Sequence, residues 1–332
     1  MKESIDIFEE RLQVAKDLVA NTNKQSVLII QQHPGSEDNY IHFPPVRESI
    51  SNIIVFSEVS NPDDAREILA KASGKVDCYI LDTDRKRINT SEIIDAVKSY
   101  PLATKLLYYS DFDVWGEAAV DFITEIEGDL QGKDVLLYGC NYLSTRVIRK
   151  LLTEDARVYV QQQENSGVKF PLDTECSVTF ESDKLMKVEG HQGDYDIIIG
   201  SEILNVAEGV NDTRHAKSVY DIGIGNFTKE YIEEAHKYGS KVYRFDNRAG
   251  ISSVVLGLME TDYLISNNMG RVQIGNIKVV SGGILSEEDA IIVDNAFAPT
   301  FVFGVADGSC KFKKELSQRN LDDLKVINTL IK

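Results

Sequence analysis

A glycine-containing loop at residues 139–144 is the first part of the sequence that suggests chemistry. It reads Gly-Cys-Asn-Tyr-Leu-Ser and stands between an apolar run, 135–138, and a segment with the apolar spacing of a helix. A strand, a tight turn and a helix in this order point the first N–H groups of the helix at whatever lies above the strand. Such N–H groups favour phosphate, so the loop predicts a site for a dinucleotide.

The loop keeps only part of the usual dinucleotide-binding pattern. Gly139 supplies the turn, but Asn141 and Ser144 stand where further glycines are expected. The next strand, 157–160, is followed by Gln161, and no acidic residue is present there to bind a ribose hydroxyl. The cofactor-binding residues predicted in this unit are Gly139, Cys140, Asn141, Tyr142, Ser144 and Gln161. The alternative is an ordinary strand–helix–strand unit without a nucleotide.

Composition restricts the class of protein. The chain has 332 residues with 42% hydrophobic and 27% charged residues, which is ordinary for a globular protein. A net charge of −17 argues against nucleic-acid and membrane-surface roles, because both need a basic face. We find no apolar run long enough for a membrane span and no signal peptide. The four cysteines are far apart, which predicts no metal site and a cytoplasmic setting.

Apolar periodicity predicts alternating strands and helices over most of the chain. Strands are predicted at 26–33, 52–59, 76–84, 105–111, 135–138, 157–160, 194–201, 218–226 and 241–246. Helices are predicted at 3–22, 60–73, 91–100, 114–128, 228–240 and 252–265. This alternation predicts the α/β class, with mainly parallel sheets and helices on both faces. Gly200, Gly223 and Gly225 lie at strand ends and join the predicted cofactor-binding residues.

The last part of the chain has a different pattern. Residues 270–312 contain short β-rich runs separated by Gly-Asn, Gly-Gly and Asp-Gly pairs, which predict β-hairpins. Residues 313–331 predict a closing helix. The apolar side chains at 291–293 and 301–303 belong either to a core or to a surface between two copies, and we expect a homodimer.

Three segments resemble the two-domain dehydrogenases that include shikimate dehydrogenase and methylene-tetrahydrofolate dehydrogenase. Segment 80–87 has a lysine six residues after its first position, and 109–123 has an aspartate followed three residues later by glycine. Segment 218–226 contains a D-x-G-I pattern. The residues that carry the resemblance are Lys86, Asp113, Gly116, Asp221, Gly223 and Ile224. The tail from residue 270 is unlike both enzymes, which indicates a divergent branch.

The resemblance implies an active site in the cleft between a substrate domain and a Rossmann-like domain. It places an N-terminal α/β domain at 1–115, an NAD(P)-binding domain at 116–268 and a β-rich extension with a helix at 269–332. It implies NAD or NADP as the cofactor and a small polar, carboxylate-bearing molecule as the substrate.

Lys86 and Asp113 are the predicted catalytic residues. A carboxylate beside a lysine orients the ammonium and tunes its pKa, and the ammonium then polarises or protonates a substrate oxygen. Both residues have simpler explanations. Lys86 belongs to a charged run, 82–87, that is typical of a solvated loop, and Asp113 is placed to cap a helix.

His33, Arg244 and Arg248 are the predicted substrate-binding residues. His33 begins a long polar loop that could cover the cleft, and the arginines follow a strand, where a guanidinium binds carboxylate or phosphate well. A structural histidine and surface ion pairs are the alternatives.

Other functions remain open at the level of sequence. The Asp-Thr-Asp triplet at 82–84 has the composition of a phosphatase motif, but it follows the third strand and not the first. The missing glycines also agree with a non-catalytic α/β scaffold protein. A transferase or lyase that binds another nucleotide in the same cleft is the third reading.

Overall fold

The computed structural model describes residues 3–33, 39–84, 86, 90–139, 141–161, 185–187, 194–201, 215–223, 225–245, 248–281 and 283–331. The chain divides into two compact units, Met1–Val255 and Leu256–Lys332. The predicted domain boundaries after residues 115 and 268 stay predictions. No helix in the described ranges combines the length and the apolar character needed to cross a bilayer.

The first unit begins with a six-stranded sheet, which we call the first sheet. Its strands are β1 (Gln25–Gln32), β2 (Ile41–His42), β3 (Arg47–Glu48), β4 (Asn52–Val59), β5 (Cys78–Asp82) and β6 (Leu106–Tyr109). They lie in the order β2-β4-β1-β5-β6, and β3 also pairs with β4. The four longer strands are parallel, whereas β2 and β3 run antiparallel to β4 at the edge.

Three helices cover one face of the first sheet. They are α1 (Ile5–Ala20), α2 (Pro62–Ala72) and α3 (Thr90–Lys98). Ser4 and Asn61 cap the first two by accepting hydrogen bonds from backbone amides of the first turn. Their apolar faces pack on alternate strand residues, including Leu28, Ile30 and Leu81. Side chains on the other face, among them Ile29 and Phe56, are also buried.

Helix α4 (Asp111–Glu127) leads into a second, fully parallel sheet. Its strands are β7 (Asp134–Tyr138), β8 (Arg157–Gln161), β9 (Leu185–Lys187), β10 (Tyr195–Gly200), β11 (Ala216–Asp221) and β12 (Lys241–Arg244). The order is β12-β11-β10-β7-β8-β9. The first strand is therefore central, and the chain reverses its direction of winding between β7 and β10, as in dinucleotide-binding sheets.

Helices cover both faces of the second sheet. Helix α4 and helix α5 (Tyr142–Thr153) pack on one face through side chains such as Ile123 and Leu151. Helix α6 (Lys229–Tyr238) packs on the other through Tyr231 and Ala235. The predicted α/β class is confirmed. Helices on both faces are found in the second sheet, while α1, α2 and α3 share one face of the first.

The unit boundary falls within helix α7 (Arg248–Tyr263), which is followed by a π-helical turn, Leu264–Asn268. The second unit has strands β13 (Arg271–Ile274), β14 (Ile277–Ser281), β15 (Ile291–Val293) and β16 (Val302–Val305), then helix α8 (Gln318–Leu330). The Gly-Asn pair forms the expected hairpin between β13 and β14. The Gly-Gly hairpin was a wrong prediction, because β14 and β15 are parallel.

Candidate functional site

Polar side chains form a row across the carboxyl ends of the first sheet. Gln31 of β1 is in register with Glu58 of β4, which is in register with His42 of β2. Asp82 of β5 is in register with Tyr109 of β6. The last registered pair between β1 and β5 is Ile30 with Leu81, so Gln31 and Asp82 follow side by side. Registered residues of parallel strands share a face, so the five side chains lie together.

Lys86 lies at this edge, held between two carboxylates. Its Nζ is 2.7 Å from Oδ2 of Asp82, the last residue of β5, and 2.7 Å from Oδ2 of Asp111, the first residue of α4. The Lys86 side chain is only 4% exposed, and Asp82 is fully buried. The ring of Phe112 lies 5.2 Å from the ammonium. A buried ammonium between two carboxylates is the strongest concentration of charge in the described residues of this edge.

Two uncharged side chains fix Asp111. The Nε2 of Gln31 donates to Oδ1 of Asp111 at 3.0 Å and to the Tyr109 hydroxyl at 2.7 Å. The Tyr109 hydroxyl lies 3.4 Å from the same Asp111 oxygen. The two oxygens of Asp111 therefore have different partners, one facing Lys86 and the other facing the sheet.

A second aspartate fixes the turn from β6 into α4. Asp84 accepts hydrogen bonds from the Ser110 hydroxyl at 2.8 Å and from the Phe112 amide at 2.6 Å. Its own amide donates to Oδ1 of Asp82 at 3.0 Å. The Asp-Thr-Asp triplet thus holds the strand end, and Asp82 is its member that faces Lys86.

Burial and neighbouring charges perturb the acids and bases of this cluster. Burial raises the pKa of Asp82 to about 6, because the attraction of Lys86 only partly opposes it and Asp111 adds repulsion. Burial disfavours the Lys86 ammonium, but Asp111 and Asp82 outweigh it, so the pKa of Lys86 is raised. Burial also raises the pKa of Tyr109 and of Glu58. Lys86 therefore stays charged near neutral pH, and Asp82 takes up a proton only slightly below neutral pH.

The partner of Lys86 differs from the one expected from sequence. Asp113 forms an ion pair with Arg146 of α5, and the structure does not bring it to Lys86. Residues two apart on a helix point about 200° apart, so Asp111 and Asp113 cannot share a partner. Asp113 does not cap α4 either, because Ser110 accepts its amide hydrogen. A catalytic role for Asp113 stays a prediction.

Gln161 and Gly200, which are predicted to bind cofactor, lie at the same edge of the second sheet as Arg244, which is predicted to bind substrate. Gln161, Tyr138, Gly200, Asp221 and Arg244 are in register across β8, β7, β10, β11 and β12. Each lies at the carboxyl end of its strand, where ligands of open α/β sheets bind. Gly139 follows Tyr138 with a φ of 112°, a conformation that favours glycine and makes the turn into α5.

The first turn of α5 is capped by its own side chains. Oδ1 of Asn141 accepts the Ser144 amide hydrogen at 3.0 Å, and Oγ of Ser144 accepts the Asn141 amide hydrogen at 3.1 Å. This capping box uses two of the amides that an anion would contact. The amides of Tyr142 and Leu143 are not part of it. Fewer backbone amides are thus available to an anion at this loop than the sequence suggested.

The other predicted glycines mainly serve backbone packing. A side chain at Gly200 would overlap Asn226, so glycine allows the loop after β11 to approach β10. Gly223 donates to the Gly200 carbonyl at 3.1 Å, and the Gly225 amide donates to Asp221 at 2.6 Å. Asp221 therefore organises this loop.

The remaining predicted residues lie on different elements. His33 stacks on Tyr40 with 3.5 Å between ring centres, and its amide donates to Val59 in β4. Arg244 is exposed at the end of β12. Cys140 and the side chains of Tyr142 and Arg248 lie outside the described residues. In the segment after His33, Ile41–His42 and Arg47–Glu48 form β2 and β3, which pair with β4 at the sheet edge.

No protein-family model matches the chain, and no curated protein matches its sequence. Similar solved structures include the glutamate dehydrogenase of Thermus thermophilus, with 12% identity, 72% of this chain and 68% of that chain covered, and a TM-score of 0.37. Shikimate dehydrogenase 1 of Peptoclostridium difficile shares 12% identity over 72% of this chain and 90% of its own, with a TM-score of 0.36.

The L-tryptophan dehydrogenase of Nostoc punctiforme shares 13% identity over 66% of this chain and 69% of its own, with a TM-score of 0.35. All three are dehydrogenases, the class named by the sequence resemblance. Likeness at these values carries no argument about the activity of this chain.

Proposed function

We propose that the chain is an NAD(P)-dependent oxidoreductase in which Lys86 handles the proton of a small polar substrate. The observation that carries the proposal is the buried Lys86 between Asp82 and Asp111, at the carboxyl edge of a parallel sheet. The strand order of the second sheet supports the cofactor. The ion pair of Asp113 with Arg146 supports a site that uses the carboxyl edges of both sheets. It joins the start of α4, which follows the first sheet, to the first turns of α5, which follows β7 of the second sheet.

The backbone of the second sheet is compatible with a bound dinucleotide. The sharp turn at Gly139 and the winding reversal between β7 and β10 are the features that such a cofactor needs. The amides of Tyr142 and Leu143 would hold its diphosphate, and Gln161 would lie beside a ribose. When bound, the cofactor supplies or accepts the hydride.

Lys86 supplies the proton. An ammonium has three N–H donors. Asp111 accepts a hydrogen bond from one of them, and Asp82 is ion-paired with the same Nζ. A remaining N–H can donate to a substrate carbonyl oxygen and stabilise negative charge that develops there. The proton then moves from Nζ to that oxygen, and in the reverse direction Nζ receives it. Asp82 and Asp111 keep Lys86 charged and oriented, and neither needs to touch the substrate.

The acidic surroundings of Lys86 restrict how a substrate lies. Asp82, Asp111 and Glu58 repel a carboxylate brought close to Lys86. A carboxylate-bearing substrate would therefore turn its carbonyl or hydroxyl toward Lys86 and its carboxylate toward Arg244 on the second sheet.

Titration with NADH and NADPH, followed by nicotinamide fluorescence, tests the proposal. We expect saturable binding of one of them, together with a thermal shift that grows with ligand concentration. If neither dinucleotide binds at millimolar concentration, the oxidoreductase proposal is abandoned.

The capping box favours a second candidate, a transferase or lyase with a nucleotide ligand that lacks a diphosphate. Asn141 and Ser144 occupy amides that a diphosphate would use, whereas an adenosine moiety does not need them. Native mass spectrometry of the purified protein separates the candidates by the mass of any retained ligand. If the protein neither retains a nucleotide through purification nor binds one that is added, the scaffold alternative is supported.

We further propose that the protein acts as a homodimer. The choice between NAD and NADP and the cytoplasmic location stay predictions.

A further inference from the structure

We propose that Glu58 and His42 bind an ammonium group of the substrate, at the same sheet edge as Lys86. The two residues are called the amine subsite, and Glu3 is its positioning residue. This inference rests on the proposed function, because it names the class of substrate: a carbonyl or hydroxyl compound that also carries a primary amino group.

His42 is held in one orientation by Glu3. Nδ1 of His42 lies 3.0 Å from Oε1 of Glu3. Oε2 of Glu3 accepts the Phe43 amide hydrogen at 2.7 Å, and the Glu3 amide donates to the Ile41 carbonyl at 3.0 Å. Glu3 is thus tied to β2 through both its carboxylate and its backbone. A carboxylate at Nδ1 keeps the ring proton there, so Nε2 of the neutral ring carries a lone pair.

This lone pair lies on the face of the sheet that carries Glu58. His42 and Glu58 are a registered pair of β2 and β4, and registered residues share a face. The His42 side chain is 34% exposed, and within the described ranges Nε2 has no hydrogen-bond partner. A histidine with one nitrogen fixed and the other free presents a single, directed acceptor to a ligand.

Glu58 supplies a second acceptor. Its half-buried carboxylate accepts a hydrogen bond from the Tyr40 hydroxyl, and no cation of the described residues lies within ion-pair distance of it. Burial raises the pKa of Glu58, and the charges of His42 and Lys86 only partly oppose this. An ionised carboxylate has about four lone-pair positions, so Glu58 can accept further hydrogen bonds from a ligand.

The charges at this edge favour a cation over a neutral or anionic group. Lys86 carries one positive charge, whereas Asp82, Asp111 and Glu58 carry three negative charges when ionised. An ammonium relieves this excess and has three N–H donors, which matches the two acceptors of the amine subsite. A hydroxyl supplies only one donor and no charge, and a carboxylate supplies neither a donor nor the right charge.

Strand spacing separates the ammonium from the reacting group. Strands β4 and β5, which carry Glu58 and Asp82, lie on either side of β1. Adjacent strands are about 4.8 Å apart, so these two strands are about 10 Å apart. A substrate whose carbonyl or hydroxyl contacts Lys86 therefore carries its amino group several bonds away, and the amino group itself does not react.

Binding is tested by nuclear magnetic resonance of the His42 ring. The chain has 5 histidines, and His42→Gln identifies the signal of His42 by its loss. Butylamine should shift this signal to saturation, whereas butanol and butyrate, which have the same chain length, should not. Glu58→Gln should weaken butylamine binding by about tenfold, because the isosteric amide removes the charge.

Glu48→Gln is the matched control. It removes the same charge from the same edge of the sheet, but Glu48 is ion-paired with Lys24. It is in register with Ile53, which lies on the other face of β4 from Glu58. Butylamine affinity of this variant should equal that of wild type.

Steady-state kinetics test the class of substrate. Amino alcohols offered with NAD or NADP should have a higher kcat/KM than the same alcohols acetylated on nitrogen, which lack the charge. In Glu58→Gln this preference should fall by about tenfold. The change should appear mainly in KM, because the subsite binds the ground state and the transition state alike.

The outcomes separate the amine subsite from the proposed function. The subsite is overturned if butylamine does not bind saturably, or if butanol and butyrate bind equally well. It is also overturned if Glu58→Gln, melting like wild type, binds butylamine unchanged. Dinucleotide binding in the same preparations would still uphold the oxidoreductase. If butylamine binds through Glu58 and neither dinucleotide binds, the oxidoreductase and its substrate class are abandoned, and only the ammonium site remains.

Discussion

At the scale of single residues, the Lys86 cluster is arranged for chemistry and not for stability. Removing one ammonium and two carboxylates from water costs several kcal/mol per ion, and buried ion clusters rarely recover this in full. Asp82 illustrates the cost, because burial raises its pKa to about 6 despite the neighbouring cation. An apolar cluster of the same volume would hold the sheet edge equally well. The free energy of burying these ions is explained if the reaction requires a charged and pre-oriented Lys86.

Replacing Lys86 by methionine should abolish turnover without abolishing cofactor binding. We expect kcat to fall by about 10²- to 10⁴-fold, the usual contribution of a proton-transferring group. Because two carboxylates then remain buried without a cation, unfolding free energy should fall by about 3–5 kcal/mol at neutral pH. The loss should shrink as the pH is lowered toward 6, because Asp82 without Lys86 takes up a proton above the pH of about 6 at which it titrates in wild type. Steady-state kinetics and denaturant melts at two pH values measure both effects.

Lys150→Met is the control for that experiment. Lys150 also faces several carboxylates, Glu117, Asp121 and Glu154, but it lies between α4 and α5 and is partly exposed. Its loss should leave kcat unchanged and cost less than about 1 kcal/mol. Equal losses of activity in both variants would contradict the role of Lys86.

Asp82 should give the reaction a pH limb near 6. Its pKa is raised from 3.8 to about 6, so the carboxyl is protonated below that pH and ionised above it. Protonated Asp82 no longer pairs with the Lys86 ammonium, so kcat/KM for substrate reduction should rise with pH and level off above about 6. Asp82→Asn should remove this limb and lower the plateau. If the pH dependence persists in Asp82→Asn, another group causes it. Glu58, whose pKa burial also raises, is then the first candidate.

Sequence reasoning found one member of the cluster and missed its partners. The resemblance of segment 80–87 to the dehydrogenases identifies Lys86, but the same resemblance favours Asp113 over Asp111. The spacing alone does not show where a helix begins, and only the start of α4 at Asp111, capped by Ser110, decides which carboxylate faces the sheet. Gln31 and Tyr109 were missed because strand register brings them together, and a single sequence does not reveal strand register.

At the scale of elements, long periodic segments were predicted correctly and short ones were not. The major strands and helices of both sheets appear in the predicted order, because their apolar periodicity extends over several residues. Strands β2, β3 and β9 have only two or three residues, too few for any periodicity. The parallel pairing of β14 with β15 was missed because a Gly-Gly pair was taken for a hairpin turn.

Gly200 should be intolerant of any side chain because two elements meet there. A Cβ at Gly200 would overlap the Cβ of Asn226 in the loop after β11. We expect Gly200→Ala to lower the unfolding free energy by about 1–3 kcal/mol, the usual cost of overpacking. It should also weaken dinucleotide binding, since the loop borders the crevice. Thermal melts with and without ligand measure both effects.

Gly257→Ala is the matched glycine control. Gly257 lies within α7, with nothing within 4 Å of the position that a Cβ would take. Alanine at such a helix position should stabilise the protein by about 0.5–1 kcal/mol, because it restricts the unfolded chain. A destabilised Gly257→Ala together with a neutral Gly200→Ala would reverse the packing argument.

At the scale of the whole molecule, charge and apolar surface are unevenly distributed. The sequence from residue 256 onward has 8 basic and 10 acidic residues, a net charge of −2, so −15 of the total −17 lies before it. Among the described residues, only four of the large exposed apolar side chains lie before residue 256. They are Val14, Ile50, Tyr108 and Tyr238. Two copies therefore repel each other least through the second unit, which also has the apolar surface to bury.

The second unit should form the contact in the proposed homodimer. Phe301 precedes the edge strand β16 and Phe303 lies within it; they are 57% and 51% exposed, and their ring centres are 5.2 Å apart. We expect wild type to have twice the 37.1 kDa chain mass in light scattering, and Phe301→Ser/Phe303→Ser to run as a monomer. Ile50→Ser, which removes a still more exposed apolar side chain from the first unit, should remain a dimer. Since the contact is apolar and the first units repel, added salt should strengthen the association, and dissociation by salt would point to ion pairs instead.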